Sequence, residues 1–132
     1  MVYVITEGEL FALDAHTGTQ LWTYTVGNVK GLYPAPCVAD GVVYASSLDN
    51  NVYALNATTG ALIWKVLAGA STTPAVANGM IYTGTTGGTL IALSADTGTL
   101  RWHFTTGGLI SSSPAVANGV VVDSSWDGNV YA

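Results

Sequence analysis

Apolar residues come in short β-branched and aromatic runs, each closed by glycine, asparagine or aspartate, and no stretch sustains a 3.6-residue period. Three such runs, Val42-Val43-Tyr44, Met80-Ile81-Tyr82 and Val120-Val121-Val122, follow one frame: Pro36 to Gly41 (PCVADG), then PAVANG at Pro74 to Gly79 and at Pro114 to Gly119. Asp40-Gly41, Asn78-Gly79 and Asn118-Gly119 suit two-residue hairpin turns with positive φ at both central positions. A second turn is expected near Asp49-Asn50, Gly87-Gly88 and Asp127-Gly128. The next strand, typified by Asn51-Val52-Tyr53-Ala54-Leu55, runs into a Thr-Gly turn, and the strand after it carries a tryptophan. Each unit reads as four short strands, with no helix.

The units repeat. ALDAHTGTQLW, from Ala12 to Trp22, recurs as ALNATTGALIW at Ala54 to Trp64 and as ALSADTGTLRW at Ala92 to Trp102, so the tryptophans lie 42 and then 38 residues apart. Four-stranded antiparallel units at a period near 40 are what a radial propeller needs. The expected fold is all-β: a β-propeller arc of about three four-stranded antiparallel blades, part of a larger propeller. Its predicted boundaries are a partial blade at 1–26, blades at 27–67 and 68–106, and a partial blade at 107–132. Val2 to Ala12 occupies the same strands of the repeat as Val121 to Ala132, so the ends duplicate rather than complement one another. The expectation is a window from a longer propeller chain.

Composition supports stacked blades. Hydrophobic residues make up 49% of the 132 and charged residues only 8%, against the ~25% usual for a soluble domain. A blade buries both faces, so its strands need few outward charges; a sandwich would place charges on alternate strand positions. The same balance excludes intrinsic disorder. A net charge of −5 argues against a phosphate-backbone footprint, so no nucleic-acid partner is expected. No apolar run reaches the ~18 residues of a membrane span. The first fifteen residues lack the basic start of a secretory signal, so none is expected in this segment.

At these residues the chain resembles the PQQ-like, quinoprotein-type β-propeller repeats with their tryptophan-docking motif. Ala12, Asp14, Gly18 and Trp22 match the pattern Ala-x-Asp-x-x-x-Gly-x-x-x-Trp in full. Ala54, Asn56, Gly60 and Trp64, then Ala92, Ser94, Gly98 and Trp102, match it with Asn and Ser in place of Asp. The resemblance implies that each tryptophan packs on the Thr-Gly turn of the next blade. It also implies a periplasmic or otherwise extracytoplasmic location. Catalytic members of such a family oxidise alcohols or sugars with pyrroloquinoline quinone and Ca²⁺, many with two adjacent cysteines. Here Cys37 stands alone, where the other repeats have Ala75 and Ala115.

Candidate chemistry is sparse. Asp14 and Asp96 fall in Thr-Gly turns and Asp40, Asp49 and Asp127 in hairpins, which are ordinary turn duties. Asp123-x-Ser125-x-Asp127-Gly128 imitates the front half of a calcium loop, while its repeat equivalents are plain strand-and-turn sequence. Trp126 stands where Leu48 and Thr86 stand in the other repeats, either capping a blade or offering a stacking face at the mouth of the ring. Lys30 and Tyr33, in the variable segment before an inner strand, are the other ligand-contact candidates. His16 and His103 find no nucleophile or zinc set around them. Gly87-Gly88 and Gly107-Gly108 open no helix and read as turns. Asn56-Ala57-Thr58 fits a glycosylation sequon, but the docking motif already explains it.

The function expected is non-catalytic: a propeller segment for protein–protein or small-ligand binding, or scaffolding, with no cofactor in this segment. Its partners would be the remaining blades of the parent propeller or another copy of the chain, and a protein or small ligand. The alternative is a fragment of a PQQ-dependent alcohol or sugar dehydrogenase, with PQQ and Ca²⁺ held elsewhere.

Overall fold

The computed structural model describes residues 1–27, 31 and 33–132, and among them forms strands, turns and bends but no helix. The hairpin dipeptides behave as their side chains require. Asp40 and Gly41 take φ of +49° and +76°, Asn78 and Gly79 +53° and +71°, and Asn118 and Gly119 +51° and +78°. These values twist the flanking strands the way a sheet twists. Glu7 and Gly8 form a further turn of this kind, at +50° and +87°, although glutamate gives no such signal in the sequence.

Four antiparallel sheets result. The first is three-stranded, β1 (Val2–Thr6), β2 (Glu9–Leu13) and β3 (Gln20–Thr25). The second runs in order through β4 (Cys37–Ala39), β5 (Val42–Ser46), β6 (Asn51–Asn56) and β7 (Leu62–Leu67). The third repeats it as β8 (Ala75–Ala77), β9 (Met80–Gly84), β10 (Thr89–Ser94) and β11 (Leu100–Thr105). The fourth holds β12 (Ala115–Ala117), β13 (Val120–Ser124) and β14 (Val130–Tyr131). The short first strands lie side by side, β4 against β8 and β8 against β12. This is an arc of a β-propeller: two whole blades flanked by two three-stranded ones.

Both faces of the second sheet are buried, which is where the hydrophobic composition goes. Val43, Ala45, Tyr53 and Leu55 face the first sheet, in a cluster with Leu10 and Val26. Their neighbours Tyr44, Val52 and Ala54 face the third, in a cluster with Ile81, Ile91 and Leu93. Each fully buried Leu or Ile contributes ~1.5–3 kcal/mol, so contact between blades is the main source of stability. The outermost strands are different: every residue of β11 is exposed.

Register places each motif alanine opposite its tryptophan, Ala12 with Trp22, Ala54 with Trp64 and Ala92 with Trp102. A β-bulge follows the alanine in all three copies. The smallest side chain thus faces the largest at one position in every outer hairpin, and the indole is free to lean towards the next blade.

Candidate functional site

The motif residues meet at the junctions between sheets. Trp22 on β3 donates its indole N–H to the carbonyl of Ala57 at 3.0 Å, in the Thr-Gly turn of the second sheet. Trp64 on β7 donates to Ala95 at 2.9 Å, in the corresponding turn of the third. Gly60 and Gly98, at φ of +72° and +70°, complete these seats. A Cβ on Gly60 would stand 2.7 Å from the Trp22 ring, and one on Gly98 2.8 Å from the Trp64 ring. Glycine is required there twice over, by backbone conformation and by the approach of the ring.

The polar motif residues shape the turns. The Asp14 carboxylate accepts the backbone N–H groups of His16 and Thr17, each at 2.9 Å, and the Thr17 hydroxyl at 3.1 Å. The Thr17 N–H, then that of His16, holds its carboxyl below the usual range. Asn56 does the same through its amide oxygen, accepting from Thr58 and Thr59. Ser94 is buried and closes its turn through the backbone, its carbonyl accepting from Gly98.

Three strand tyrosines, to which the sequence assigns no role at the junctions, complete them. Tyr3, Tyr44 and Tyr82 lie tilted against Trp22, Trp64 and Trp102, with ring centroids 5.8, 6.0 and 5.8 Å apart. The Tyr3 hydroxyl donates to Ala57 at 2.9 Å and the Tyr44 hydroxyl to Ala95 at 3.5 Å, the carbonyls that the indoles use. The tyrosine three residues after the Asp40-Gly41 and Asn78-Gly79 turns was the available signal. Trp102 has its tyrosine but no Thr-Gly turn over it among the described residues. It is 40% exposed and lines a groove of about 450 Å³ with Phe104, Val120 and Tyr131.

The half-loop residues turn to separate partners. Asp123 is buried, and its Oδ1 accepts the Ser112 hydroxyl at 2.5 Å and the Ser124 N–H at 2.8 Å. Its Oδ2 has no hydrogen-bond partner among the described residues. Ser125 donates to Gly108, while Asp127 accepts from Tyr131, Gly107 and Asn129. Among the described residues no three His, Cys, Asp or Glu side chains converge as metal ligands. One buried carboxylate oxygen is not a calcium cage, and the donor set described does not fit one.

The other candidates are scattered. Lys30 lies outside the described residues. Tyr33 packs on the cluster between the first two sheets. Trp126 is 76% exposed and donates its indole N–H to the Ser111 hydroxyl at 2.8 Å. Cys37 is half-buried, and burial pushes its thiol pKa up, away from the reactive thiolate. His16 sits exposed in its turn and His103 exposed on β11.

Known proteins share this architecture. A family profile described as outer membrane protein assembly factor BamB matches residues 1–74 and again 49–132. A quinoprotein ethanol dehydrogenase of Pseudomonas aeruginosa is 37% identical over 73 residues, covering 49% of this chain and 12% of that protein. A tetrathionate hydrolase of Acidithiobacillus ferrooxidans is 34% identical over 67 residues, 50% of this chain and 13% of that protein. The crystal structure of the computationally designed Ika4 protein superposes with a TM-score of 0.83 at 21% identity, over 96% of this chain and 79% of that one. The chain thus spans about an eighth of the curated relatives' length, and the likeness to Ika4 concerns fold alone. Among the described residues no helix is long and apolar enough to cross a membrane.

Proposed function

The chain belongs to the PQQ-like β-propeller repeat family described as outer membrane protein assembly factor BamB, and from that premise we propose that it serves as a non-catalytic binding and scaffolding arc of an extracytoplasmic propeller. The observation that carries this reading is the pair of junctions in which Trp22 and Trp64 reach the Ala57 and Ala95 carbonyls. The repeated residues are spent on joining blade to blade: the indoles of Trp22 and Trp64 meet the turns that hold Asn56 with Gly60 and Ser94 with Gly98. The partners are the remaining blades of the propeller or a second copy of the chain, and a protein or small ligand held by the assembled ring.

One finding favours a second reading. The 37% identity with a quinoprotein ethanol dehydrogenase supports an enzyme whose cofactor residues lie outside this segment. Fold does not choose between them, because one scaffold hosts many functions. The test adds PQQ and Ca²⁺ to the intact protein and follows cofactor absorbance together with dye reduction by alcohols or aldoses. The binding reading expects neither uptake nor turnover. Cofactor uptake with turnover overturns it in favour of the dehydrogenase.

A further inference from the structure

The outer space between neighbouring sheets occurs three times, and in two of them an acid–aromatic set occupies it. Between the first and second sheets Tyr24 and Tyr53 pack edge to face, ring centroids 6.2 Å apart. The Tyr53 hydroxyl donates to Asp49 at 2.7 Å, and the Lys65 ammonium stands 4.9 Å over the ring. Between the third and fourth, Phe104 lies 5.4 Å from Tyr131, whose hydroxyl donates to Asp127 at 2.7 Å. In the middle space the repeat puts Val66 where Tyr24 and Phe104 stand, Ile91 for the two tyrosines, and Gly87 for the two aspartates. His103, paired with Ile91 across the strands, replaces Lys65, which is paired with Tyr53.

Val66 packs on the buried cluster between the two sheets, while Ile91 and Gly87 line a groove of about 490 Å³. Ile91 and Ala68 give it apolar wall; Thr85, Thr89, Thr105 and His103 bring hydroxyls and an imidazole. Thr89 and Thr105 stand 3.4 Å apart, oxygen to oxygen, across the two strands. An apolar wall with a few convergent polar groups is the ordinary make-up of a small-molecule site.

We propose that the groove between the second and third sheets binds a small phenolic molecule. Its ring takes the place that tyrosine fills in the other two spaces, and its hydroxyl bonds to the threonine hydroxyls or to His103 in place of the missing carboxylate. Among the described residues no lysine or arginine lines the groove, so an anion finds no charge partner there. Among the described residues no Phe, Tyr or Trp lines it either, which removes the broad platform on which a sugar would stack. The inference is independent of whether the parent propeller is an enzyme.

The test is an NMR titration of the 15N-labelled chain with p-cresol, and with toluene as the same ring lacking the hydroxyl. Saturable shifts at Thr89, Ile91 and Thr105 are expected, with a midpoint at ~1 mM, as befits so small a ligand. Toluene should bind about fivefold more weakly, the loss expected for one net hydrogen bond. Refilling the groove with Gly87→Asp and Ile91→Tyr together should abolish saturation. His103→Ala, an exposed change that leaves the sheets packed, should weaken p-cresol about threefold or more. The proposal is overturned by the absence of saturable shifts at these residues, by equal binding of toluene, or by variants that bind as the parent does.

Discussion

Trp64 and Trp102 stand at the same register position, each opposite an alanine and each tilted on a tyrosine. Their surroundings differ on the other side only. Trp64 has the turn of the third sheet against it, with a hydrogen bond to Ala95 and contact with Gly98. Trp102 has no such turn among the described residues and is 40% exposed. The strand aims the indole, but the neighbouring repeat supplies its burial. A single copy of the motif is therefore half of an interaction, and its worth depends on the copy that follows.

The largest effect should come from removing the seated indole. Trp64→Ala is expected to cost ~3–5 kcal/mol, as large aromatic truncations in cores do, and Trp102→Ala less, ~1–3 kcal/mol, since its ring is 40% exposed and carries no carbonyl hydrogen bond among the described residues. Urea unfolding of the two variants measures the difference, and equal losses would break the comparison. The glycines sharpen it from the other side. Gly98→Ala sets a Cβ 2.8 Å from the Trp64 ring at a positive φ, for ~2–4 kcal/mol of strain and overpacking. Gly18 has a similar φ, +72°, but nothing within 4 Å of its Cβ position, so Gly18→Ala should cost only ~1–2 kcal/mol. A thermal melt placing both variants at the same midpoint would mean that ring contact adds nothing.

Much of this arrangement is legible in sequence because it is local or repeated. The Asp-Gly and Asn-Gly dipeptides declare their turns through backbone chemistry alone. Three copies of Ala-x-x-x-x-x-Gly-x-x-x-Trp declare the period, and the scarcity of charge declares a strand buried on both faces. What stayed hidden depends on residues from two repeats at once. Tyr3 and Tyr44 look like ordinary strand aromatics until their hydroxyls reach Ala57 and Ala95. Nothing in Ile91 or Gly87 singly announces a groove; both line it where their counterparts are the larger Tyr53 and Asp49. Asp123, Ser125 and Asp127 show the reverse. Their spacing suggests one cation, but the hairpin sends them to separate partners.

The smallest effect contrasts Asp49 with Gly87, its counterpart in the next blade. Burial alone would push the Asp49 carboxyl up, but hydrogen bonds from Tyr53, Ser47 and Asn51 together outweigh it and hold the pKa below the usual value. A pKa depressed in the folded state contributes stability above the unfolded value, ~4, and that contribution is lost as pH falls through the folded value. Asp49→Asn removes the titrating group while keeping an oxygen that can accept from Tyr53. Urea midpoints at pH 7 and in the acid range below the carboxylate pKa should therefore fall further for the parent chain than for this variant. The gap should be less than about 1 kcal/mol, because the carboxylate is partly solvated and its ion pair with Lys65, at 3.7 Å, is exposed. Equal acid losses in the two proteins would show that the bonds to Tyr53, Ser47 and Asn51 fill space without favouring the charge. The acid–aromatic set would then be packing alone, and Gly87 would differ from Asp49 in volume but not in electrostatics.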